Sequence, residues 1–345
     1  MPLTRPFFFV LSACLLVGGQ VANGQSLRVL KDVFDVIFAE KDSVDVRYIH
    51  NFKGMFSPRI FLERRNLSFG FHPLGKPYEG KHYYPNRGAT VGLAAYYGSV
   101  GVSFGFKLGK NNIEKERNLG KTKYYDFTVN SYHPSYGLDV FVNYYKGFFE
   151  AKNGLFNPST QVLVPYFQRG DVKLVSAGLN YIHVVNPYRY SIQAPFLMIK
   201  QQKKSAGSLL WIMASNYVYV GGRRALDTLA PLVNTDTILI NKGNFLHAAI
   251  LPGYAYTHVV QDWFVSGTLF LGPGLQLQNY KRNADERNTA LAPMLKTGFR
   301  ASVGYSGEQL FVALIAQIDF EQSKLERSRF QKRSDLIRVT TGLHF

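Results

Sequence analysis

Asp126, Asn130, Asp139, Asn143, Lys296, Arg300, Gln317 and Asp319 share a spacing that matters more than their identities. Each sits in a segment whose apolar residues occupy the other parity, and in a β-strand successive side chains point to opposite faces. Tyr125, Phe127 and Val129 oppose Asp126, Thr128 and Asn130, while Leu138, Val140, Val142 and Tyr144 oppose Asp139 and Asn143. Leu295, Phe299, Ala301, Val303 and Tyr305 oppose Lys296, Arg300 and Ser302; Leu310, Val312, Leu314, Ile318 and Phe320 oppose Gln309, Gln317 and Asp319. The polar set carries both signs of charge. Gathered in one interior, such groups either coat a water channel or cancel in a packed, ion-paired plug, and both arrangements stay open here. Asp126 and Asp139, read on neighbouring strands joined at His133-Pro134-Ser135, would then need cations, with Lys296 and Arg300 as candidates.

Other chemistry finds little footing. The histidines at 50, 72, 82, 133, 183, 247, 258 and 344 form no HxH or HExxH pair, so no metal site is assigned. Gly120-Lys121-Thr122 looks like the end of a phosphate loop, but Lys115 stands where the loop requires glycine. No GxSxG elbow is present, and Gly272-Pro273-Gly274 reads as a strand bend. No catalytic residue and no cofactor follow from these residues.

The elements that must carry the polar set are strands. From about Phe56 onward, segments of roughly ten residues alternate apolar with polar or small residues, the weak repeated signature of a transmembrane barrel. Val100, Val102, Phe104, Phe106 and Leu108 share one face, and Gly101, Ser103, Gly105, Lys107 and Gly109 the other. A soluble sandwich is the competing reading. Against it stand aromatic residues near strand ends, Tyr96 with Tyr97, Tyr144 with Tyr145, Tyr217 with Tyr219 and Tyr254 with Tyr256, which resemble interfacial girdles. Short connections are expected at Gly98-Ser99, His133-Pro134-Ser135, Asn186-Pro187, Lys203-Lys204, Gln261-Asp262 and Ser306-Gly307. Long ones are expected over about 73–86, 110–120, 149–169, 280–289 and 322–334. The interleaving slips between 202 and 244 and is restored by an extra strand near Val233 to Ile240, closed by Asn241-Lys242-Gly243-Asn244. The reading is therefore all-β: a closed antiparallel up-and-down transmembrane β-barrel of about 14 strands, with 12 as the alternative.

Ahead of the barrel, Arg5 precedes an apolar run from Phe7 to Val17, and Ala22 and Gly24 are the small residues before a cleavage point. That predicts a signal peptide over 1–24, too short to span a bilayer. Leu11-Ser12-Ala13-Cys14 could be taken as a lipoprotein box, but the apolar run continues through Leu15, Leu16 and Val17. Residues 25–50 form a periplasmic lead-in, in which Leu30, Phe34, Ile37 and Phe38 recur at helical spacing over 26–45 and predict a short amphipathic helix. Residues 51–345 are the barrel. Cleavage after Gly24 removes the single cysteine, Cys14, and with it any disulfide or thiolate chemistry. The formal charge of +17 lies mostly in loops. In an exported chain it predicts attraction to lipopolysaccharide and anionic lipid, or simply solvated loops, and no nucleic acid partner. The last segment alternates Ile337, Val339, Thr341, Leu343 and Phe345, and a terminal aromatic resembles the signal read by the barrel-assembly machinery.

Four stretches in order carry a resemblance: Tyr83-Tyr84-Pro85-Asn86 followed by Gly92-Leu93; Gly120-Lys121-Thr122 with Asp126-Phe127; Tyr145-Lys146-Gly147-Phe148; and Lys204-Ser205-Ala206-Gly207-Ser208. From about Asp45 to Phe345 the chain resembles domain of unknown function 4421, a family of outer-membrane barrels found largely in Bacteroidota. The resemblance implies a barrel and export, and it brings no catalytic residue. Pro85-Asn86 and Ser205 to Ser208 read as turn and close-packing elements. For function, a pore or transporter for small solutes comes first. A structural or surface-interaction barrel with a closed lumen is the alternative, and an outer-membrane enzyme is third.

Overall fold

In the computed structural model the described residues are 44–345, apart from 53–54, 75–79, 98–99, 109–112, 153–166, 229–238, 283–285 and 327. The signal peptide and the amphipathic helix read over 26–45 lie outside them, save Val44 and Asp45.

The strands are β1 (Ile49–Asn51), β2 (Phe56–Pro73), β3 (Lys81–Tyr84), β4 (Thr90–Tyr97), β5 (Val100–Lys107), β6 (Lys123–Tyr132), β7 (Tyr136–Lys152), β8 (Phe167–Val184), β9 (Lys200–Gln202) and β10 (Ala206–Gly221). They continue with β11 (Asp227–Thr228), β12 (Leu239–Val260), β13 (Trp263–Arg282), β14 (Glu286–Ser306), β15 (Leu310–Leu325) and β16 (Ser328–Leu343). Among the described residues two short helices interrupt them, α1 (Ile113–Leu119) before β6 and α2 (Gln193–Leu197) before β9.

All strands but β1 and β9 form one antiparallel sheet of 14 strands, and it closes because β10 pairs with both β8 and β12. The shortest closed ring has ten strands, since β3 bridges β2 directly to β7. β4, β5 and β6 lie outside that ring as a side lobe, hydrogen-bonded to β2 at one flank and to β7 at the other, while β11 is a two-residue edge on β12. The closed barrel expected from the alternation is present, with a smaller ring than the 14 strands read for it.

The connections also differ from expectation. Asn241 to Asn244, read as a turn, lies within β12, and β14 follows β13 after three residues, so 280–289 is mostly strand. The stretch 322–334 is the end of β15, a reversal at Glu326 (φ 47°) and the start of β16. These charged stretches read as loops because membrane strands are short. Here the strands run past the apolar belt, where an outward charge costs nothing. Asn186-Pro187 is no tight turn, since residues 185–205 separate β8 from β10 and fold inward.

The large apolar side chains Leu93, Phe104, Phe127, Leu246, Ile250, Leu269, Leu291, Phe299, Leu314 and Ile337 are all exposed on the outer face. An apolar belt of that extent is what hydrocarbon rather than water accommodates, and it removes the sandwich reading. Of the aromatic pairs, Tyr254 and Tyr256 both face outward, whereas the adjacent residues straddle the wall, with Tyr97 exposed and Tyr96 and Tyr145 buried inside.

Two apolar clusters occupy the interior. At the end bearing the short turns, residues 190–202 are buried without exception and fill the lumen. Tyr190, Ile192, Phe196, Leu197, Met198 and Ile199 pack against Tyr132, Ile182, Leu210, Leu251, Phe264, Phe270 and Phe311 of the wall. Backbone carbonyls of this inturned segment are met by wall side chains: Ser302 Oγ donates to Pro195 O (2.6 Å) and the Arg59 guanidinium to Leu197 O. In return, Gln193 Nε2 donates to Tyr132 O (2.6 Å). β9 pairs with β1, tying residues 49–51 to the segment. At the opposite, loop-bearing end, Phe69, Phe71, Tyr83, Tyr145, Phe148, Leu174, Phe245, Tyr280 and Phe330 form the second cluster.

Candidate functional site

Between the two apolar clusters lies a cavity of about 620 Å³. All eight polar residues picked out by parity line it: Asp126, Asn130, Asp139, Asn143, Lys296, Arg300, Gln317 and Asp319. Phe196 and Leu197 of the inturned segment also line it, so the plug forms one boundary.

The charges fall into three linked groups. Glu321 accepts from Lys296 Nζ at 2.9 Å and Lys332 Nζ at 2.8 Å, and His247 Nε2 lies 3.3 Å away. Asp139 lies on β7 opposite Asn130 of β6, and its Oδ1 accepts from Tyr132 Oη at 2.7 Å and from Asn130 Nδ2 at 2.5 Å. Arg300 Nη2 stands 3.8 Å from its other oxygen. Asp126 faces Asn143, which donates at 2.8 Å, and Tyr145 Oη donates at 3.0 Å. The cation on Asp126 is Arg87, not Lys296 or Arg300, and Arg87 also lies 3.7 Å from Glu63, whose other oxygen takes Arg338 at 2.6 Å. Arg87 stacks over Tyr124 (4.2 Å) and Arg338 over Phe61 (4.5 Å). Buried carboxylates are tolerable only with such partners.

Sequence reasoning missed Glu63, Arg65, Arg87, His247, Glu321, Lys332 and Arg338. On β2 the inward parity mixes Phe61 and Leu67 with Glu63 and Arg65, which masks the pattern. Lys332 lay in a stretch read as loop. Glu321 was the most findable, because it continues the parity of Gln317 and Asp319.

Three of the four family-like stretches meet in space. The backbone N–H of Asn86, which follows Pro85, donates to Thr122 Oγ1 at 2.8 Å, and Asn86 Nδ2 donates to Gly120 O at 2.7 Å. Thr122 in turn donates to Gly147 O at 2.7 Å. Gly147 has φ 90°, and a Cβ there would lie 2.2 Å from the Lys121 carbonyl oxygen, so only glycine fits. It sits where the β7–β8 register slips between Lys146 and Phe148, a bulge that re-aims the strand. This knot holds the backbone beside Arg87 and so places its guanidinium in the cavity. The fourth stretch anchors the plug: Ser205 Oγ accepts from Val259 N–H (2.9 Å), and Ser208 Oγ from Asn186 N–H (2.9 Å). Gly207 lies where a Cβ would meet Tyr254 Oη at 2.4 Å. Phe345 exchanges two backbone hydrogen bonds with Phe56 where β16 meets β2. Among the described residues no group of three or more metal-ligating side chains converges.

No curated protein matches the chain. Among solved structures it is similar to the outer membrane protease OmpT from Escherichia coli, at 8% identity and a TM-score of 0.40, over 84% of this chain and 97% of that one. Ail, the attachment invasion locus protein of Yersinia pestis, aligns at 9% identity and 0.20, over 85% and 99%. The P. putida toluene transporter TodX aligns at 5% identity and 0.16, over 84% and 89%. No activity or ligand is carried over from them. A family profile described as Domain of unknown function (DUF4421) matches residues 41–341, and the chain belongs to that family.

Proposed function

We propose that this chain is an outer-membrane barrel, exported behind a cleaved signal peptide, that takes a small solute into a charged chamber and passes it on by moving the plug. The observation that carries this reading is the buried segment 190–202, which fills the lumen beneath a chamber of about 620 Å³. Cavities of roughly 300–1,000 Å³ suit small ligands. A constitutively open pore would not spend thirteen buried residues on blocking itself.

The test is conductance of the purified full chain in planar bilayers. The wild type stays closed apart from brief events, and replacement of 192–198 by a Gly/Ser stretch of equal length gives steady current. Barrel formation in both is checked by the heat-dependent shift in electrophoretic mobility. Steady conductance by the wild type overturns the reading. Recovery of the chain as soluble protein without detergent, on fractionation, removes the membrane assignment altogether.

A second reading is a structural or surface-interaction barrel whose lumen is permanently packed, favoured by the three partners that satisfy Glu321. It predicts that the plug-replaced variant also stays closed. In either case the partners proposed are outer-membrane lipid, lipopolysaccharide and the barrel-assembly machinery. No catalytic step, cofactor or nucleic acid is ascribed to the chain.

A further inference from the structure

Among the described residues the wall is weakest at the seam between β5 and β6. β4 and β5 share eight register pairs and β6 and β7 share ten, but β5 and β6 share two, Val100 with Ser131 and Gly101 with Asn130. Beyond those pairs, residues 102–106 and 123–129 have no strand opposite them across the seam among the described residues. In hydrocarbon an unsatisfied backbone group costs several kcal/mol, which is why membrane barrels close completely. The flanking side chains place the seam within the apolar belt, with Phe106 64% and Tyr125 71% exposed on the outer face. These two outward residues nonetheless line the same cavity as the inward Asp126 and Asn130. The cavity therefore extends to the seam between β5 and β6. The ring stays closed at the loop end through β3, so the seam does not cost the barrel its integrity.

We propose that the seam is a lateral portal, through which a single-chain amphiphile with an anionic head enters the chamber from the bilayer. The inference rests on the chamber being a ligand site. Apolar clusters occupy the lumen toward both ends, and the cavity reaches the seam between them. On the cavity lining, basic side chains outnumber carboxylates, and Arg65 Nε is buried with no hydrogen-bond partner among the described residues. An anionic head meets that donor, while its chain lies between Phe106 and Tyr125 and extends into the belt.

Order of addition tests this. Ser103→Cys and Thr128→Cys, in a Cys14→Ser background that is otherwise free of cysteine, are tethered across the seam with a short bis-maleimide. The probe is palmitate carrying a mid-chain diazirine, in phosphatidylcholine vesicles, with photoadducts mapped by mass spectrometry. Probe loaded before tethering labels peptides of the chamber lining. Probe added after tethering loses that labelling by about ten-fold or more. Arg65→Gln weakens labelling by the palmitate probe about ten-fold, as expected for one charged hydrogen bond, and leaves labelling by the neutral palmitamide analogue unchanged.

Equal labelling in both orders overturns the portal and leaves the chamber standing. Absence of chamber labelling in the untethered protein overturns the chamber reading and the portal with it. Crosslinks between single-cysteine copies at residue 103 or 128 would mean that a second chain pairs with the open edges, which also overturns the proposal.

Discussion

On one side of the barrel, β13 and β14 are joined by twenty consecutive register pairs and β15 and β16 by sixteen; on the other, β5 and β6 share two. The alternation of apolar and polar residues is cleaner over 100–108 than over 310–320, where Phe311, Ala313 and Ile315 share the parity of Gln317 and Asp319. Alternation therefore settles which face a residue shows but not whether its strand finds a neighbour. Pairing follows the connection. β12 to β13 and β15 to β16 reverse within two residues, at Gln261 (φ 56°) and Glu326 (φ 47°), and so have no freedom to splay. β5 reaches β6 through residues 108–122 and α1, a connection long enough to let the strands part. One half of the wall is a rigid staple of hairpins, and the other is a lobe attached at its flanks.

The most disruptive way to break this contrast is to unbalance the rigid half. Glu321→Gln leaves Lys296 and Lys332 buried together without their shared carboxylate and should cost about 3–5 kcal/mol in urea unfolding of the reconstituted barrel. A loss below about 1 kcal/mol would mean that water already screens the group. The comparison is sharpened by one charge placed on each wall. Phe299→Lys on β14 faces unbroken hydrocarbon and should cost about 2–4 kcal/mol. Phe104→Lys on β5 should cost less than half of that, because its ammonium can reach the polar seam. Equal penalties in the same unfolding assay would show that the seam is as dry as the rest of the belt.

Gly147→Ala strains the knot that holds the lobe to the ring, forcing φ 90° on an alanine and its Cβ into the Lys121 carbonyl. The expected loss is about 1–3 kcal/mol, with proteolysis near 120–122 accelerated before any effect on β12 to β16. The smallest effect concerns the lead-in. Hydrogen bonds from the Arg47 side chain and backbone N–H hold the Asp45 carboxyl down at about 2 from its ordinary 3.8. A carboxylate whose folded pKa is depressed contributes stability that is present above about pH 4 and lost as pH falls toward 2. Amide exchange at Arg47, corrected for intrinsic rates, should rise across that window while the β13–β14 ladder stays protected. A rise in both together would mean that the lead-in and the barrel open as one.

How much of this was legible depends on what kind of information each feature uses. Asp126, Asn130, Asp139, Asn143, Lys296, Arg300, Gln317 and Asp319 were found because parity is local, and all eight line one cavity. Arg87 was not found, because what puts it there is a set of hydrogen bonds from Asn86 to residues more than thirty positions away. The plug was missed for a different reason. Ile192 to Ile199 is apolar but for Gln193, has no period and contains Pro195, so it reads as neither strand nor amphipathic helix. It is buried on every side, and periodicity appears only when one side is not. The seam leaves no trace in the alternation, since the same residues would serve a paired strand equally well.

The plug is chained at both ends to the rim of the barrel, through β8 on one side and β10 on the other. A segment so held cannot diffuse away from the lumen. Its return is governed by an effective local concentration on the order of millimolar, fixed by the length of its own tether and indifferent to how many barrels the membrane holds. Loop closure over such distances takes well under a millisecond. Any opening at this end is therefore an intramolecular equilibrium with built-in reclosure: a population of barrels should leak in independent, short-lived bursts whose frequency per barrel is the same in a sparse membrane as in a crowded one.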